Sequence, residues 1–217
     1  MKEEEEGKSC KLIGTCLDLF MKFGIKSLTM EDISREMGIS KKTLYQVVKD
    51  KKDLVYKSMA LCLEEEQCVL TEVSARSENA IDELIGYTRF VNSRLSEMHN
   101  SVLYDIKKYH KDSWAMMKDH KQGFVRQSIL ENSERGIKEG LYRESTNPEV
   151  ITTMYMLLVD GMLNSDEHFG REVTIESLHL EMIGYHVRGI ASEKGMILLK
   201  TTLNKEENNH LKLDKAG

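Results

Sequence analysis

A single proline, Pro148, stands in a chain of 217 residues, and this scarcity constrains the fold more than any other feature of the sequence. Proline breaks helices, and glycine weakens them. Most of the glycines fall singly between long stretches rich in Leu, Met, Glu and Lys. Because little interrupts those stretches, the sequence predicts an all-α protein of about nine helices joined by short turns.

The first part of the chain alternates short helical stretches with single helix-stopping residues. Apolar residues recur every three or four positions from about Ser9 to Phe23, which predicts the first helix, and Gly24 ends it. A second helix is predicted to begin after Thr29. The hydroxyl of Thr29 and the carboxylate of Asp32 form a capping-box pattern, with Asp in place of the usual Glu or Gln.

The second helix is predicted to stop at Gly38, and Ser40 caps a third helix only two residues later, at about Lys41–Val47. Two short helices joined by a glycine-containing turn form a helix-turn-helix, whose second helix can lie in the major groove of DNA. A further cap at Asp50 predicts a long fourth helix that runs to about Ser74.

Longer helices are predicted behind this module. They cover about 80–98, 101–109, 111–139, 147–166 and 175–191. Asn147 supplies a cap, and Pro148 then occupies the first helical position, where its missing N–H costs nothing. The residues after Lys194 mix apolar and polar side chains, and we expect a partly ordered extension there.

Charge is distributed unevenly along the chain. The whole chain carries a formal net charge of -5, which by itself argues against a nucleic-acid partner. Residues 1–7 hold one lysine and four glutamates and indicate a solvated acidic tail. Residues 8–57, in contrast, hold eleven Lys and Arg against six Asp and Glu. A basic module on an acidic body favours phosphate binding at one end of the chain only.

The cysteines and the apolar runs bear on the cellular compartment. The four cysteines, Cys10, Cys16, Cys62 and Cys68, include no C-x-x-C pair, so we interpret them as reduced thiols rather than metal ligands. No basic segment followed by an apolar one opens the chain, and no apolar run approaches the roughly 18 residues of a membrane span. The sequence predicts a cytoplasmic protein without a cofactor.

Residues 12–54 resemble the N-terminal domain of TetR-family transcriptional regulators. The stretch reads LIGTCLDLFMKFGIKSLTMEDISREMGISKKTLYQVVKDKKDL. The marks of the family are Gly24 four residues after Phe20, the Thr29-Met30-x-Asp32-Ile33 helix opening, the Gly38-Ile39-Ser40 turn, the Thr43-Leu44-Tyr45 run and Lys51. The step from Gly140 to Asn147-Pro148 resembles the family more loosely.

The resemblance implies a domain organisation and a function. It implies an acidic tail at 1–7, a three-helix DNA-binding domain at 8–54, a larger helical ligand-binding and dimerisation domain at 55–193, and a C-terminal extension at 194–217. The expected function is that of a repressor, which binds a palindromic operator as a homodimer and is released by a small-molecule effector. The sequence names neither the operator nor the effector.

The predicted DNA-binding residues lie at helix starts and on the third helix. Thr29 and Ser40 lie at helix N-termini, where free N–H groups and the helix dipole favour a phosphate. The resemblance implies that Thr29, Thr43, Tyr45 and Lys51 position the protein on the DNA backbone. Lys41, Lys42 and Gln46 are the expected base readers, because lysine can reach guanine and glutamine can pair with adenine.

One position departs from the family pattern. At the end of the third helix the family carries an aromatic residue followed by Phe, whereas this chain has Val47 and Val48. Val48 can replace the core Phe with some loss of volume. Val47 cannot donate a hydrogen bond to phosphate, so one expected DNA contact is absent, unless Lys49 compensates for it.

The resemblance also predicts two sets of residues in the helical body. The dimer interface is expected on the last two long helices, at Met154, Leu158, Gly161, Met162, Leu178, Met182 and Tyr185. The effector pocket is expected among the middle helices, at Tyr87, Phe90, Tyr104, Trp114, Met117, Phe124 and Tyr155. For each of these aromatic and methionine side chains, packing in the core is an alternative role.

Two other classes of protein compete with a regulator. Glu176-x-x-His179 has the spacing of a di-iron half-site, but the sequence has no second such pair, and Asp166-Glu167-His168 indicates a solvated helix end. No H-E-x-x-H motif, P-loop or nucleophile elbow is present, so an enzyme or a metalloprotein is not expected. The remaining alternative, kept open by Val47, is a helical interaction protein that has lost DNA binding.

Overall fold

The computed structural model describes residues 2–164 and 173–213, together with the side chains of residues 7–164 and 173–203. Within these residues the chain is helical. Its helices are α1 (Lys2–Phe23), α2 (Met30–Glu36), α3 (Lys41–Val47), α4 (Lys51–Arg76), α5 (Ala80–Glu97), α6 (Val102–Tyr109), α7 (Lys111–His120), α8 (Arg126–Lys138), α9 (Pro148–Asn164), α10 (Ile175–Ile190) and α11 (Glu193–Leu213). A π-helical segment, Lys121–Val125, joins α7 to α8.

Most of the predicted helices are present at the predicted positions. The single helix predicted at 111–139 is α7, the π segment and α8 in sequence. Two ends differ from the prediction: α1 begins at Lys2 rather than Ser9, and α11 occupies the region where only a partly ordered extension was expected. The Asp166-Glu167-His168 run, where the helix predicted at 147–166 was expected to end, lies outside the described residues.

The chain divides into two compact units. Unit 1 comprises Met1–Val69 and Ser93–Phe124, and unit 2 comprises Leu70–Asn92 and Val125–Gly217. The helices α4 and α5 each begin in one unit and end in the other. The boundary expected after residue 54, between a DNA-binding domain and a ligand-binding and dimerisation domain, stays a prediction.

Unit 1 has an apolar core to which α1, α2, α3, α4 and α6 all contribute. Its fully buried members include Cys16 and Phe20 of α1, Ile33 of α2, Leu44 of α3 and Val102 of α6. Burial raises the pKa of the Cys16 thiol to about 11, so this cysteine stays protonated and acts as an apolar side chain. The helix-turn-helix therefore shares its core with α6, a helix far along the chain.

Unit 2 is organised around a buried carboxylate. Glu83 of α5 is 3% exposed, and its two oxygens accept hydrogen bonds from Tyr87, Asn132 and Arg135 at 2.8, 3.1 and 3.2 Å. The Tyr142 hydroxyl donates to Asn132 at 3.0 Å. An ionised group is stable inside a protein only when it is paired and hydrogen-bonded, so these contacts hold α5 and α8 in one arrangement.

Gly136 of α8 is required by the close approach of Tyr142. A Cβ atom at position 136 would lie 2.1 Å from the tyrosine ring. The turn that follows the helix closes through Gly140, whose φ of 70° lies in the left-handed region that glycine adopts readily. These two glycines let the chain fold back so that the backbone of Arg143 bonds to Ile190, the last residue of α10.

His179 of α10 is buried in unit 2 without a hydrogen-bond partner for its Nδ1 atom in the described part of the chain. The side chain is 2% exposed, and burial lowers its pKa to about 4. In the unfolded chain a histidine has a pKa of about 6.5, so the native state binds fewer protons. The contribution of His179 to stability is therefore complete above about pH 6.5 and is lost as the pH falls towards 4.

We predict that His179→Met reduces the acid sensitivity of folding. Methionine fills a similar volume and carries no titratable group, so the variant should lose about 2 kcal/mol less of its free energy of unfolding between pH 7 and pH 4.5. Urea unfolding followed by circular dichroism, at one protein concentration, measures the difference. His99→Gln, at an exposed histidine, is the control. Equal losses in wild type and His179→Met would contradict the prediction.

Candidate nucleic-acid interface

The start of α2 carries the predicted capping box. The Thr29 hydroxyl accepts the backbone N–H of Asp32 at 3.1 Å, and the Asp32 carboxylate accepts the Thr29 backbone N–H at 3.0 Å and its hydroxyl at 2.6 Å. These hydrogen bonds from Thr29 hold the pKa of Asp32 below its ordinary value. Thr29 is exposed, so this helix start is open to a phosphate while its own cap keeps it in place.

The turn between α2 and α3 depends on Gly38. Its φ is 64°, which a residue with a Cβ adopts only at a cost. The backbone N–H groups of Gly38 and Ile39 donate to Arg35 and Ser34 at 3.1 and 3.0 Å, which ends α2. The Ser40 hydroxyl then accepts the N–H of Thr43 at 3.0 Å and caps α3. The helix-turn-helix predicted from the sequence is thus present.

The third helix has one buried side and one open side. Leu44 is fully buried, and Val48, which follows the helix, is 2% exposed. The remaining predicted DNA-binding residues of this helix are exposed: Lys41, Lys42, Thr43, Tyr45 and Gln46. Helix geometry produces this division, because side chains four residues apart share a face. The structure therefore brings these five side chains together on the surface of one helix.

The charged groups of α3 differ in their surroundings. The ammonium of Lys41 pairs with the carboxylate of Glu31 on α2 at 2.6 Å, and this contact lowers the pKa of Glu31. Within the described residues, the side chains of Lys42, Tyr45 and Gln46 have no hydrogen-bond or ion-pair partner. The side chains of Lys42 and Gln46 are thus free to contact a base. Lys41 would first have to break its ion pair with Glu31.

Lys51 lies at the first position of α4 and is half-buried. Its ammonium donates to the backbone carbonyl of Leu28, the residue before the Thr29 cap. Burial lowers the pKa of Lys51, although Asp105 and Asp32 partly offset the effect. Lys51 thus fixes the start of α2 beside the start of α4, and its remaining N–H groups could still donate to a phosphate.

The departure at Val47 is visible in the structure. Val47 is half-buried and packs against the core of unit 1, and its backbone carbonyl accepts the ammonium of Lys57 at 2.8 Å. Lys49 is exposed, and its backbone N–H donates to Asp53 at 2.9 Å. The Val47 side chain offers nothing to a phosphate, and the exposed ammonium of Lys49 is the nearest cation along the chain.

The seven residues predicted for an effector pocket fall in both units. Tyr87, Phe90 and Tyr155 belong to unit 2, and Tyr104, Trp114, Met117 and Phe124 belong to unit 1. Trp114 and Met117 pack against the core of unit 1. Tyr104 is 49% exposed and contacts Lys108 and Tyr109 at the surface of α6. The pocket assignment stays a prediction.

Unit 1 contains an open groove between α4 and α7, with a volume of about 610 Å³. This volume is in the range of small-molecule sites. Its lining includes Tyr56, Leu63, Glu64, Asp112, Met116 and Asp119. At one end of the groove Asp112 pairs with Lys52 of α4 at 2.7 Å, which raises the pKa of Lys52. None of the seven predicted pocket residues lines this groove.

The seven residues predicted for the dimer interface divide by burial. Met154, Leu158, Gly161 and Tyr185 are exposed in this single chain. Met162 and Met182 are buried inside unit 2 and Leu178 is half-buried, so these three pack the helices of their own chain. Leu157, another apolar residue of the expected face on the first of these helices, is exposed as well. Sequence reasoning missed the exposed apolar side chains of Val150 and Leu180. The four-residue spacing of Val150 from Met154 was the available signal for the first.

Two negative findings concern other kinds of site. Among the side chains described at 7–164 and 173–203, no group of three His, Cys, Asp or Glu could hold a metal ion. Over the same part of the chain, no helix combines the length and apolar character that crossing a membrane requires. The four cysteines are free, with Cys10 and Cys68 exposed.

A family model matches the N-terminal part of the chain. Residues 12–56 match the model described as bacterial regulatory proteins, tetR family. The match covers the helix-turn-helix and the start of α4. A search of curated proteins finds no match to the chain.

Solved structures share the helical fold over most of the chain. A protein from Saccharomonospora viridis, whose structure was determined in complex with choline, has a TM-score of 0.67 and 15% identity, with 87% of this chain and 100% of that chain covered. A TetR-family transcriptional regulator from Agrobacterium tumefaciens has a TM-score of 0.66 and 16% identity, with 86% and 99% covered. The ketosteroid transcriptional regulator KstR2 of Mycobacterium tuberculosis has a TM-score of 0.54 and 14% identity, with 86% and 96% covered.

A capped helix-turn-helix that precedes a larger set of helices is the arrangement typical of DNA-binding transcriptional regulators. Residues 12–56 match the tetR family of bacterial regulatory proteins, and the helical fold is similar to that of solved regulators such as the TetR-family protein from Agrobacterium tumefaciens.

Proposed function

We propose that the protein represses transcription by binding a palindromic operator as a homodimer, and that a small molecule releases it. The observation that carries the proposal is the open side of α3, where Lys42, Tyr45 and Gln46 are exposed and unpaired while Leu44 fixes the helix from below. Because the chromosome lies in the cytoplasm of a bacterium, we place the protein there.

Each exposed residue of the interface receives a role in this proposal. Lys41, Lys42 and Gln46 read base edges in the major groove, because they extend from the first two turns of α3. Thr29, Ser40, Thr43, Tyr45 and Lys51 hold the phosphate backbone. Phosphate contacts position a protein without sequence preference, and base contacts supply specificity, so the two groups should respond differently to substitution.

The dimer is supported by an exposed apolar face on α9. Val150, Met154 and Leu158 recur every four residues, Leu157 and Gly161 lie three residues beyond Met154 and Leu158, and Leu157 is 64% exposed. On α10, Leu180 and Tyr185 are also exposed. A continuous apolar face of this kind marks a surface that another molecule covers. A second copy of the chain also supplies the second recognition helix that a palindromic site requires.

The groove between α4 and α7 supports a site for the effector. Glu64 and Asp119 line it together with Tyr56, which favours an organic cation, while Asp112 already pairs with Lys52. The similar protein from Saccharomonospora viridis was crystallised with choline, a cation of that class. Since α4 begins three residues after Val48, a ligand against this helix would act close to the recognition helix.

Selection from a random-sequence duplex library at two salt concentrations tests the proposed operator binding. We expect an enriched inverted repeat and a steep loss of affinity as salt rises. Tyr45→Phe removes only the hydroxyl and should weaken every duplex about fivefold, because a phosphate contact carries no sequence information. Gln46→Ala should lose about 1 to 3 kcal/mol of preference at one base pair of each half-site.

The control is Lys138→Gln, a lysine of α8 that lies outside the proposed interface. No enrichment at low salt would refute the proposal and favour the alternative of a helical interaction protein that has lost DNA binding. Enrichment that Tyr45→Phe and Gln46→Ala leave unchanged would refute the assignment of those two residues.

A charge on the α9 face should separate the two copies. We predict that Leu157→Glu lowers the mass measured by sedimentation equilibrium from that of a dimer towards that of a monomer, because it buries a carboxylate without a partner. Ser145→Glu, in the loop before α9, adds the same charge and should leave the dimer intact. A monomeric wild-type protein, or a dimer in both variants, would contradict the proposed face.

Choline is the probe for the effector. We expect the protein to lower transcription in vitro from a promoter that carries the selected operator, and choline chloride to restore it beyond the effect of equal sodium chloride. Glu64→Gln should weaken the response to choline, because it removes one carboxylate from the groove. Glu144→Gln, an exposed residue outside the groove, is the matched control. Equal responses to the two salts would exclude choline as an effector.

A further inference from the structure

We propose that an exposed basic and aromatic patch beside the helix-turn-helix is a second contact with duplex DNA, which binds the phosphate backbone beyond the reach of α3. The patch, called here the α1–α6 patch, consists of Lys22, Phe23, Lys26, Tyr104, Lys108 and Tyr109. The inference rests on the DNA binding proposed above. It adds a surface that neither the helix-turn-helix nor the effector requires.

One half of the patch lies on α6. The Lys108 ammonium lies 4.9 Å from the centre of the Tyr104 ring and 5.5 Å from that of Tyr109. The two rings meet edge to face at 6.4 Å. The hydroxyl of Tyr104 also accepts a hydrogen bond from Lys108, and these contacts raise the pKa of Lys108. The charge is therefore held in place beside two phenol hydroxyls without being neutralised.

The other half lies at the end of α1 and in the loop that follows. The ammonium of Lys26 lies 5.2 Å from the centre of the Tyr109 ring and donates to its hydroxyl at 3.4 Å. That of Lys22 lies 5.2 Å from the centre of the Phe23 ring. Phe23, Tyr104 and Tyr109 are each at least 40% exposed. Three cations thus lie against rings that are exposed to solvent.

No carboxylate within the described residues pairs with Lys22, Lys26 or Lys108, whereas Lys41 and Lys52 of the same unit each have one at 2.6 and 2.7 Å. Surface lysines without counter-charges are the complement of an anionic surface. Duplex DNA is the anionic surface that fits best here, because it carries one charge per roughly 1.7 Å of its axis and accepts hydrogen bonds from lysine and tyrosine alike.

The patch is continuous with the helix-turn-helix. Lys26 precedes the Thr29 cap by three residues, and its backbone N–H donates to the buried carboxylate of Asp105 on α6 at 2.9 Å. Val102 and Ile106 of α6 pack in the same core as Leu44 of α3. The α1–α6 patch and the recognition helix are therefore parts of one packed unit.

The test measures the salt dependence of binding to a 40-base-pair duplex of random sequence, which requires no knowledge of the operator. Each lost phosphate contact lowers the slope of log K against log salt by about 0.9. We expect the double variant Lys26→Gln/Lys108→Gln to reduce the slope by about 2. The control double variant Lys118→Gln/Lys138→Gln makes the same change in charge at lysines of α7 and α8 outside the patch and should keep the wild-type slope.

A second measurement uses the length of the duplex. Wild type should bind the selected operator more tightly when ten extra base pairs flank it on each side, and Lys26→Gln/Lys108→Gln should lose that gain while still preferring the operator. Tyr109→Phe keeps the ring and should lose part of the gain. Equal thermal midpoints of all variants and wild type show that these changes leave the fold intact.

The outcomes separate this inference from the proposed function. A wild-type slope in Lys26→Gln/Lys108→Gln, or a gain from flanking DNA that persists in it, overturns the patch as a DNA contact. If wild type binds no duplex, the DNA-binding function fails as a whole. If the double variant instead loses binding to phosphatidylglycerol vesicles and keeps its DNA slope, the patch is a lipid surface and the inference is wrong.

Discussion

The burial of Leu44 in the core of unit 1 is the contact on which the DNA-binding surface depends. A helix of seven residues, such as α3, does not persist alone in water, because the first turn of a helix is costly to form. Packing must therefore hold it. Once Leu44 is buried and Val48 follows it into the core, the spacing of side chains around a helix leaves Lys42, Tyr45 and Gln46 facing solvent. The exposed side chains proposed to contact DNA can be replaced without loss of packing, whereas Leu44 cannot.

The parts of the fold that could be predicted are those that short-range chemistry decides. The capping box of Thr29 and the positive φ of Gly38 act within four residues, so both ends of α2 are readable in the sequence. The sides of α9 were harder to assign. This helix carries large apolar side chains all around it, so residue type does not distinguish the buried Met162 from the exposed Leu157. Only the packing of α10 and α8 against it decides which side is covered.

In the candidate site, too, the residues set by local sequence could be predicted and those set by distant contacts could not. Residues on α3 follow from the helix-turn-helix pattern, whereas the α1–α6 patch joins positions 22–26 to positions 104–109. No local pattern links two segments that far apart in sequence. Their meeting depends on Asp105, a carboxylate 3% exposed that the Lys26 backbone satisfies. A buried acid of this kind looks like an ordinary surface residue until its partner is known.

Two polar contacts explain how the start of α2 can respond to helices outside the helix-turn-helix. Lys51 of α4 donates to the carbonyl of Leu28, and Asp105 of α6 accepts the N–H of Lys26, so two helices hold the same short loop from opposite ends. Asp105 is 3% exposed, so breaking its contact leaves a carboxylate that water does not readily reach, and Lys51 is half-buried. A shift of α4 relative to α6 must therefore move this loop rather than simply release it. Because the loop leads directly into the Thr29 cap, the helix start that we propose contacts phosphate moves with it. Under the proposed release by a small molecule, these contacts would carry a displacement of α4 to the proposed DNA-binding surface.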